Sequence, residues 1–122
     1  MKVRVYYEDT DVGAVVYHTN YLKYCERARS EIFFKNGLSP HSKNSFFVVK
    51  NLEANFIKPA IFGDVLEVRS SLQSLKNVSL TINQHIFRNE ELLFEAVVKV
   101  VYLKDRKPSK IPTNIIDMFE KI

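Results

Sequence analysis

The feature that most limits the fold of this chain is a single long helical pattern, which four long strand patterns follow almost without interruption. Apolar residues recur at helical spacing over residues 20–36 and occupy more than one side of the predicted helix. Thr19 or Asn20 is the expected N-cap, and Asn36-Gly37 supplies C-cap chemistry. A helix that is buried on more than one side needs a curved sheet around it, because each element must cover the apolar face of another.

The four strand patterns alternate apolar and polar residues with a period of two. They cover residues 46–56, 65–75, 78–86 and 92–102. In the first of them the even positions are apolar except Lys50, so Phe46 and Val48 are expected on one face with Leu52, Ala54 and Phe56. An earlier strand is predicted over residues 2–8, with Val3, Val5 and Tyr7 on one face, and a short helix over residues 114–121. The order β-α-β-β-β-β predicts an α+β fold in which an antiparallel sheet of about five strands wraps around one helix.

Length and composition are typical of one globular domain spanning residues 1–122. The net charge of +4 is small, and no helix-turn-helix, zinc-finger or RNA-binding signature predicts a nucleic-acid partner. No apolar run approaches the roughly 20 residues that a membrane span needs. The single cysteine, Cys25, fits a reducing compartment, and the N-terminal residues lack the apolar stretch of a signal peptide. A cytoplasmic location is therefore expected.

The candidate chemistry lies between residues 5 and 31, where a strand gives way to an acidic turn and then to the helix. Asp11 falls in the turn, and His18 lies two residues before the predicted helix entry. Loops held by rigid flanks often carry catalytic groups, and a helix start presents free N–H groups. Taken alone, an aspartate in a turn is more often a cap or a solvated group, and a lone histidine is more often structural, so both interpretations stay open.

Two other residues on the helix favour structural interpretations. Glu26 edges the apolar stripe and is expected to pair with Arg29 or Ser30. Cys25 lies within the stripe, which predicts a buried and inert thiol. The three histidines of the chain lack the spacing of metal ligands, so no metal site is predicted.

The same stretch resembles the 4-hydroxybenzoyl-CoA thioesterase superfamily, and within it the YbgC-type acyl-CoA thioesterases. The match is carried by the segments Val5–Asp11, Gly13, Val15–His18, Asn20–Leu22 and Glu26–Arg29, and more weakly by Lys58–Ala60 and Gly63–Val68. Two positions depart from the pattern: Ala14 stands where these thioesterases often carry a second glycine, and Val12 replaces a small residue or proline. The resemblance implies a hot-dog fold.

The resemblance also implies site residues. Asp11 would be the nucleophile or the general base, and a helix N-terminal amide near His18 would polarise the thioester carbonyl, with Tyr17 and Tyr21 flanking that carbonyl. Basic residues after the last strand would help to hold the nucleotide of coenzyme A, which points to Arg106 and Lys107 in the KDRKPSK run. No cofactor is implied, because coenzyme A is part of the substrate.

The expected activity is hydrolysis of an acyl-CoA to a carboxylic acid and free coenzyme A. Acyl carrier protein as an alternative acyl carrier is left open, and so is the acyl group. The rivals are a hydratase or dehydratase of the same fold and a non-catalytic acyl-CoA-binding module. Because the last strand is apolar on both faces and the sheet has edges, a homo-oligomer is expected, at least a dimer and in the family commonly a tetramer.

Overall fold

An antiparallel six-stranded sheet curls around one long helix in this computed structural model, which describes residues 1–122. The helices and strands are β1 (Lys2–Arg4), α1 (His18–Lys35), β2 (Ser45–Phe56), β3 (Val65–Leu75), β4 (Ser79–Arg88), β5 (Glu91–Lys104), β6 (Lys107–Pro108) and α2 (Thr113–Glu120). The strand order is β1-β3-β4-β5-β2, with the two-residue β6 paired to β5. The predicted hot-dog fold is confirmed. Neither helix is both long and apolar enough to cross a membrane.

The core forms between α1 and the inner face of the sheet. The α1 residues buried there are Tyr21, Tyr24, Cys25, Ala28 and Phe33. At one end of the helix the ring of Tyr21 stacks on Phe94 of β5, with ring centroids 5.1 Å apart. At the other end the ring of Phe33 packs against the rings of Phe47 of β2 and Phe119 of α2, with ring centroids 5.8 Å and 5.5 Å away. The start of α1 therefore lies at the Phe94 end of the sheet, and the end of α1 lies near the start of β2.

The first strand is shorter than predicted, because a local turn replaces its second half. The carboxylate of Asp9 accepts the backbone N–H of Tyr6 at 2.8 Å, and the backbone N–H of Asp9 donates to the Tyr6 carbonyl at 3.0 Å. These bonds close a 3₁₀ turn over Tyr7–Asp9. Val5 is buried as expected, but the side chain of Tyr7 is 82% exposed and does not share its face.

The long helix begins at His18, two residues earlier than predicted, and Tyr17 is its N-cap. The expected capping by Thr19 or Asn20 is wrong, since no side chain caps this end. The side chain of Asn20 instead donates to the carbonyl of Asp9 at 2.8 Å. His18 is therefore the first residue of α1 rather than part of the loop before it.

The predicted C-terminal end of α1 is confirmed within one residue. Gly37 adopts a positive φ of 70°, which glycine reaches without steric cost. Its N–H donates to Phe34 O at 3.1 Å, and the N–H of Leu38 donates to Phe33 O at 3.0 Å, which is the hydrogen-bond pattern of a Schellman motif.

The register of β2 differs from the period-2 expectation because the strand contains a bulge. Val49 pairs with Val100 and Asn51 pairs with Lys99, so Lys50 is an extra residue. An extra residue moves every later side chain to the opposite face. Leu52, Ala54 and Phe56 thus share the inner face with Phe47 and Val49, and the prediction that placed Phe46 and Val48 with them is wrong.

Candidate active site

Backbone contacts on both sides hold the loop that carries Asp11. Thr10 and Val16 form an isolated antiparallel bridge, and Val15 forms another with Ile61. The N–H of Asp11 also donates to the carbonyl of Val15 at 2.9 Å. The loop is therefore fixed against the segment between β2 and β3, although its tip is exposed.

The carboxylate of Asp11 is held from one side only. Its Oδ1 atom accepts the N–H of Gly13 at 2.8 Å, which closes an Asx turn. A Cβ atom at Gly13 would lie 3.2 Å from this oxygen, so a larger residue there would crowd the turn. Ala14 follows with a φ of 64°, in the left-handed region where the second glycine of the family pattern would be less strained. The other oxygen, Oδ2, makes no hydrogen bond within the chain and is available for chemistry.

Counting backbone hydrogen bonds shows which amide at the helix start is free. The N–H of Val16 donates to Ala60 O at 2.9 Å, and the N–H of Tyr17 donates to Asp9 O at 2.9 Å. The next two amides, those of His18 and Thr19, have no partner in the chain. A free N–H at a helix N-terminus carries partial positive charge and can stabilise an anion. The amide of His18 is therefore the first available donor beside the Asp11 loop.

One open groove brings Asp11, His18 and Tyr21 together. Its volume is about 320 Å³, and it lies between the Asp11 loop, the start of α1 and the end of β2. The remaining lining residues are Val15, Val16, Phe56, Ile57, Lys58 and Pro59. The imidazole of His18 packs beside the ring of Phe56, with centroids 6.3 Å apart and the rings nearly perpendicular. An acid, a free amide and an apolar wall thus surround one space, as hydrolysis of an apolar ester or thioester requires.

Tyr21 holds the wall of this groove in place. Its hydroxyl oxygen accepts the N–H of the fully buried Ala60 at 3.0 Å. Burial raises the pKa of Tyr21 above that of a free phenol, so the hydroxyl stays protonated. Because Ala60 also accepts the N–H of Val16, the Tyr21 hydroxyl helps to set the position of the strand that enters α1.

Tyr17 lies beside the groove and does not line it. Its ring packs on the imidazole of His18, with centroids 4.4 Å apart, and it remains largely exposed. Within one chain Tyr17 therefore contacts His18 rather than the space of the groove.

The structure does not bring Arg106 and Lys107 to Asp11 within one chain. β2 and β5 pair along their whole length, with Phe56 opposite Phe94 at one end and Ser45 opposite Lys104 at the other. Phe56 lines the Asp11 groove, whereas Arg106 follows the far end of β5. Ten residues of strand at ~3.3 Å each separate these ends by ~30 Å. Within one chain, Arg106 and Lys107 therefore lie at the opposite end of the sheet from the Asp11 groove.

The sequence analysis did not predict that the end of β2 and the segment after it form one wall of the groove. The sequence analysis gave Lys58 no role in the site, but Lys58 lines the groove and forms an ion pair with Glu91 at 2.8 Å. The weaker family match over residues 58–60 was the available signal. Phe56 had no such signal, since its face depends on the bulge at Lys50.

The expectations for the two helix residues agree with the structure. The Oε1 atom of Glu26 accepts a hydrogen bond from Ser30 at 3.2 Å, and Arg29 donates to Gln84 instead. The thiol of Cys25 is buried, and this burial raises its pKa to about 11, as expected of an inert cysteine. No group of three or more His, Cys, Asp or Glu side chains is placed to hold a metal ion.

Comparison with known proteins identifies the family. The family model described as the thioesterase superfamily matches residues 13–95. The chain is 51% identical over 87 residues to the acyl-CoA thioesterase YbgC of Helicobacter pylori, a match that covers 71% of this chain and 65% of that relative. It is 38% identical over 125 residues to the acyl-CoA thioester hydrolase YbgC of Shigella flexneri, covering 98% and 93% of the two chains.

Solved structures show the same fold. A hypothetical protein from Aquifex aeolicus superposes with a TM-score of 0.92 at 26% identity, over 98% of this chain and 97% of the other. A probable thioesterase from Bartonella henselae gives a TM-score of 0.87 at 32% identity, over 92% and 97%. The chain therefore belongs to the thioesterase superfamily, in its YbgC-type branch.

Proposed function

We propose that this protein is an acyl-CoA thioesterase, which hydrolyses an acyl-CoA thioester to a carboxylic acid and free coenzyme A. The observation that carries the proposal is the groove in which the Asp11 carboxylate lies with the free amide of His18 at the start of α1. The YbgC relatives, named as acyl-CoA thioesterases or thioester hydrolases, support the same activity. Coenzyme A is part of the substrate, and the proposed mechanism uses no metal or redox cofactor.

In the proposed mechanism the thioester carbonyl lies between Asp11 and the N-terminus of α1. The N–H of His18 donates to the carbonyl oxygen and stabilises the negative charge that develops on it, helped by the partial charge of the helix end. Asp11 either attacks the carbonyl carbon as a nucleophile or removes a proton from the attacking water as a general base. The C–S bond then breaks and the thiolate of coenzyme A leaves. In the general-base route the acid forms directly, and the proton that Asp11 took from water passes to the thiolate by way of the imidazole of His18. In the nucleophilic route a mixed anhydride of Asp11 remains, and water hydrolyses it to the carboxylic acid and the free Asp11 carboxylate, with one proton going to the thiolate.

The active form is proposed to be a homo-oligomer, at least a dimer, built on the free edge of β2. This strand is 12 residues long, and beyond the isolated bridge between His41 and Phe46 its other edge is unpaired. Its inner-face side chains are only partly covered by α1, with Val49 52% exposed and Phe56 54% exposed. Long exposed edges with apolar side chains are unusual in monomers. By contrast, Val101 on the outer face of β5 is already buried within one chain, so the edge of β2 is the stronger argument for a partner.

A dimer paired through β2 would also explain the distant basic residues. Antiparallel pairing about a two-fold axis near the middle of β2 places the start of one β2 beside the end of the other. The turn that carries Arg106 lies next to the start of β2, where it lines a depression with Asn44. The partner's Arg106 and Lys107 would then face the Asp11 groove and bind phosphates of coenzyme A.

The remaining proposals concern the carrier, higher assembly and location. An acyl carrier protein is an alternative carrier of the acyl group, and association of two dimers would give a tetramer. The lone, buried Cys25 fits a reducing compartment, which supports a cytoplasmic enzyme.

The activity is tested by release of free thiol from a panel of acyl-CoAs. Asp11→Asn should reduce turnover by ~10²-fold or more while the fold is kept, as expected for the loss of a nucleophile or base. Asp117→Asn is the matched control, since Asp117 is an exposed aspartate on α2 outside the groove. Near wild-type turnover by Asp11→Asn would remove Asp11 from the mechanism. If the wild-type protein released no thiol from any acyl-CoA but bound them, the non-catalytic binding module would be favoured.

The assembly is tested by sedimentation at micromolar concentration. Val49→Lys, which places a charge on the exposed inner face of β2, should shift the oligomer towards the 14.2 kDa monomer and reduce activity in parallel. A wild-type protein that is both monomeric and fully active would contradict the shared-site proposal.

A further inference from the structure

A second cavity, distinct from the Asp11 groove, lies between the second half of α1, the loop before β2 and the start of β2. Its volume is about 270 Å³. Apolar side chains form most of its wall, among them Phe33, Phe47, Val100 and Phe119. Its polar groups come from Arg29, Glu26, Ser30 and His41. A dry cavity of ~150 Å³ is enough for benzene, so this Arg29 cavity has room for an acyl group of moderate size.

Arg29 is a half-buried cation that forms no ion pair with a carboxylate, although the charge of Glu26 acts on it from nearby. Its only hydrogen bond within the chain runs from Nη1 to the side-chain oxygen of Gln84, at 2.8 Å. Burial lowers the pKa of Arg29 because the charged form has lost solvent. Arg88 is a useful comparison, because its guanidinium is also half-buried but its charge is neutralised by ion pairs with both Asp64 and Glu91 at 2.7 Å. The four remaining N–H donors of Arg29 are free for a ligand.

The guanidinium is held in position by a buried amide. Gln84 is fully buried on β4, and its Nε2 atom donates to the carbonyl of Cys25 at 2.9 Å and to Ser70 Oγ at 3.0 Å. Its side-chain oxygen is left for Arg29. An arginine with only a structural role could also donate to Gln84, but its other N–H groups would not be expected to lie along the wall of an apolar cavity. Fixed donors in an apolar wall are the usual form of a polar recognition point in a ligand pocket.

Two other polar side chains line the cavity besides Arg29 and Ser30. The carboxylate of Glu26 is exposed at the rim, where solvent screens its charge, and its Oε1 atom accepts the hydrogen bond of Ser30. The imidazole of His41 stacks on Phe46, with ring centroids 5.7 Å apart. Arg29 is therefore the group of the cavity that can bind an anion. Guanidinium and carboxylate match in geometry, with two parallel N–H···O bonds.

The proposed dimer connects this cavity to the reaction site. Pairing two copies of β2 about their midpoint places the start of one β2 beside the end of the partner's β2. On the inner face of the sheet, Phe47 lines the Arg29 cavity near the start of β2, and Phe56 lines the Asp11 groove at its end. A thioester bound at one chain's Asp11 can therefore extend its acyl group into the other chain's Arg29 cavity.

We propose that the Arg29 cavity receives the far end of the acyl group and selects acyl-CoA thioesters that carry a terminal carboxylate, namely the mono-thioesters of short dicarboxylic acids. This inference rests on the proposed thioesterase function, and it adds the substrate class. Arg29 binds the terminal carboxylate, and the apolar wall of the cavity packs around the methylene chain.

The test compares glutaryl-CoA with pentanoyl-CoA, which differ only in a terminal carboxylate against a methyl group. Wild-type enzyme should hydrolyse glutaryl-CoA with the higher kcat/KM. Arg29→Met should lower the ratio of the two kcat/KM values by about 10- to 100-fold, the usual range for loss of a charged hydrogen bond. Arg27→Met is the matched control, because Arg27 is exposed on the same helix and lines neither cavity. It should leave the ratio unchanged.

The ratio separates recognition from general damage, since a poorly folded variant loses both substrates equally. Arg29→Lys, which keeps the charge, should retain part of the preference. A wild-type preference for pentanoyl-CoA, or a ratio that Arg29→Met leaves unchanged, would overturn the inference while the thioesterase function stands.

A binding measurement keeps the two proposals distinguishable. Free pentanoate and the neutral pentanamide can be titrated into the Asp11→Asn variant and followed by NMR shifts of the cavity residues. If no acyl-CoA is hydrolysed by the wild type but pentanoate binds in an Arg29-dependent way, the proposed function fails and the carboxylate site stands. If pentanoate binds no better than pentanamide, the carboxylate site fails as well.

Discussion

Tyr21 and Tyr24 offer a matched test of whether the groove wall depends on one hydrogen bond. Both are buried on the same helix. The Tyr21 hydroxyl accepts the N–H of Ala60, whereas the Tyr24 hydroxyl is buried without a hydrogen-bond partner. Tyr21→Phe keeps the ring that stacks on Phe94 and removes only the acceptor. It leaves a buried N–H unsatisfied, which costs ~1–3 kcal/mol of unfolding free energy.

The control substitution should behave in the opposite way. Tyr24→Phe removes a buried hydroxyl that lies near the Asp9 carboxylate but forms no well-directed hydrogen bond with it, so its effect on the free energy of unfolding should be near zero or slightly stabilising. For 122 residues an unfolding entropy of ~2.1 cal/mol/K per residue gives ~4 °C of Tm for each kcal/mol. Tyr21→Phe should therefore lower Tm by ~4–12 °C, and Tyr24→Phe should leave Tm within ~2 °C of wild type.

The assay is thermal unfolding followed by circular dichroism at one fixed protein concentration, because the apparent stability of an oligomer depends on concentration. Equal Tm values for the two variants would refute the hydrogen-bond argument. Turnover of Tyr21→Phe at a temperature well below its Tm separates the roles further. Activity within a few-fold of wild type is expected of a positioning residue, and a ~10³-fold loss at unchanged stability would make the Tyr21 hydroxyl catalytic instead.

Three further predictions follow from individual residues. Ala14→Gly should raise the free energy of unfolding by up to about 1 kcal/mol, because the strain of the left-handed φ that it relieves outweighs the chain entropy that glycine adds to the unfolded state. Denaturant unfolding measures this change, and a lower free energy of unfolding would show that Ala14 is not strained. Replacing both Arg106 and Lys107 by Gln should raise KM for acyl-CoA more than it lowers kcat, because contacts with phosphates stabilise the bound substrate and the transition state equally. An unchanged KM at low salt would show that these two residues do not bind the nucleotide. The buried Cys25 thiol, whose pKa is raised to about 11, should resist alkylation at pH 8 in the native protein and react after unfolding.

The helix and the four long strands were predictable from the sequence because their signals are local. Apolar periodicity over ten or more residues fixes the type of each element, and the observed ends lie within three residues of those predicted. The C-terminal end of α1 was equally visible, since Gly37 both ends the helix and accepts a positive φ. Asp11 and His18 were identified by a specific family pattern, and the structure does place them in one groove.

The errors arose where a single backbone feature overrides a periodic pattern. The bulge at Lys50 reverses the faces of the residues before it, and only pairing with β5 reveals that Lys50 is extra. At the N-terminus the Asp9 carboxylate captures the N–H of Tyr6 and ends β1, although the alternation of apolar residues continues to Tyr7. The separation of Arg106 from Asp11 is likewise a property of sheet topology, which no local pattern contains.

The amide proposed as oxyanion donor could be identified only by combining the family pattern with the hydrogen bonds of the structure. The family pattern predicts an amide near His18 but does not say which, and the expected helix start at Asn20 would have left several amides free. The structure satisfies the N–H of Tyr17 with the carbonyl of Asp9 and begins α1 at once, so the N–H of His18 becomes the first free donor. The same Asp9 carbonyl also accepts the side chain of Asn20, which ties the acidic turn to the first turn of the helix. The turn that carries Asp11 and the amide that we propose as oxyanion donor are therefore held by one backbone oxygen, and their relative position is set before any substrate binds.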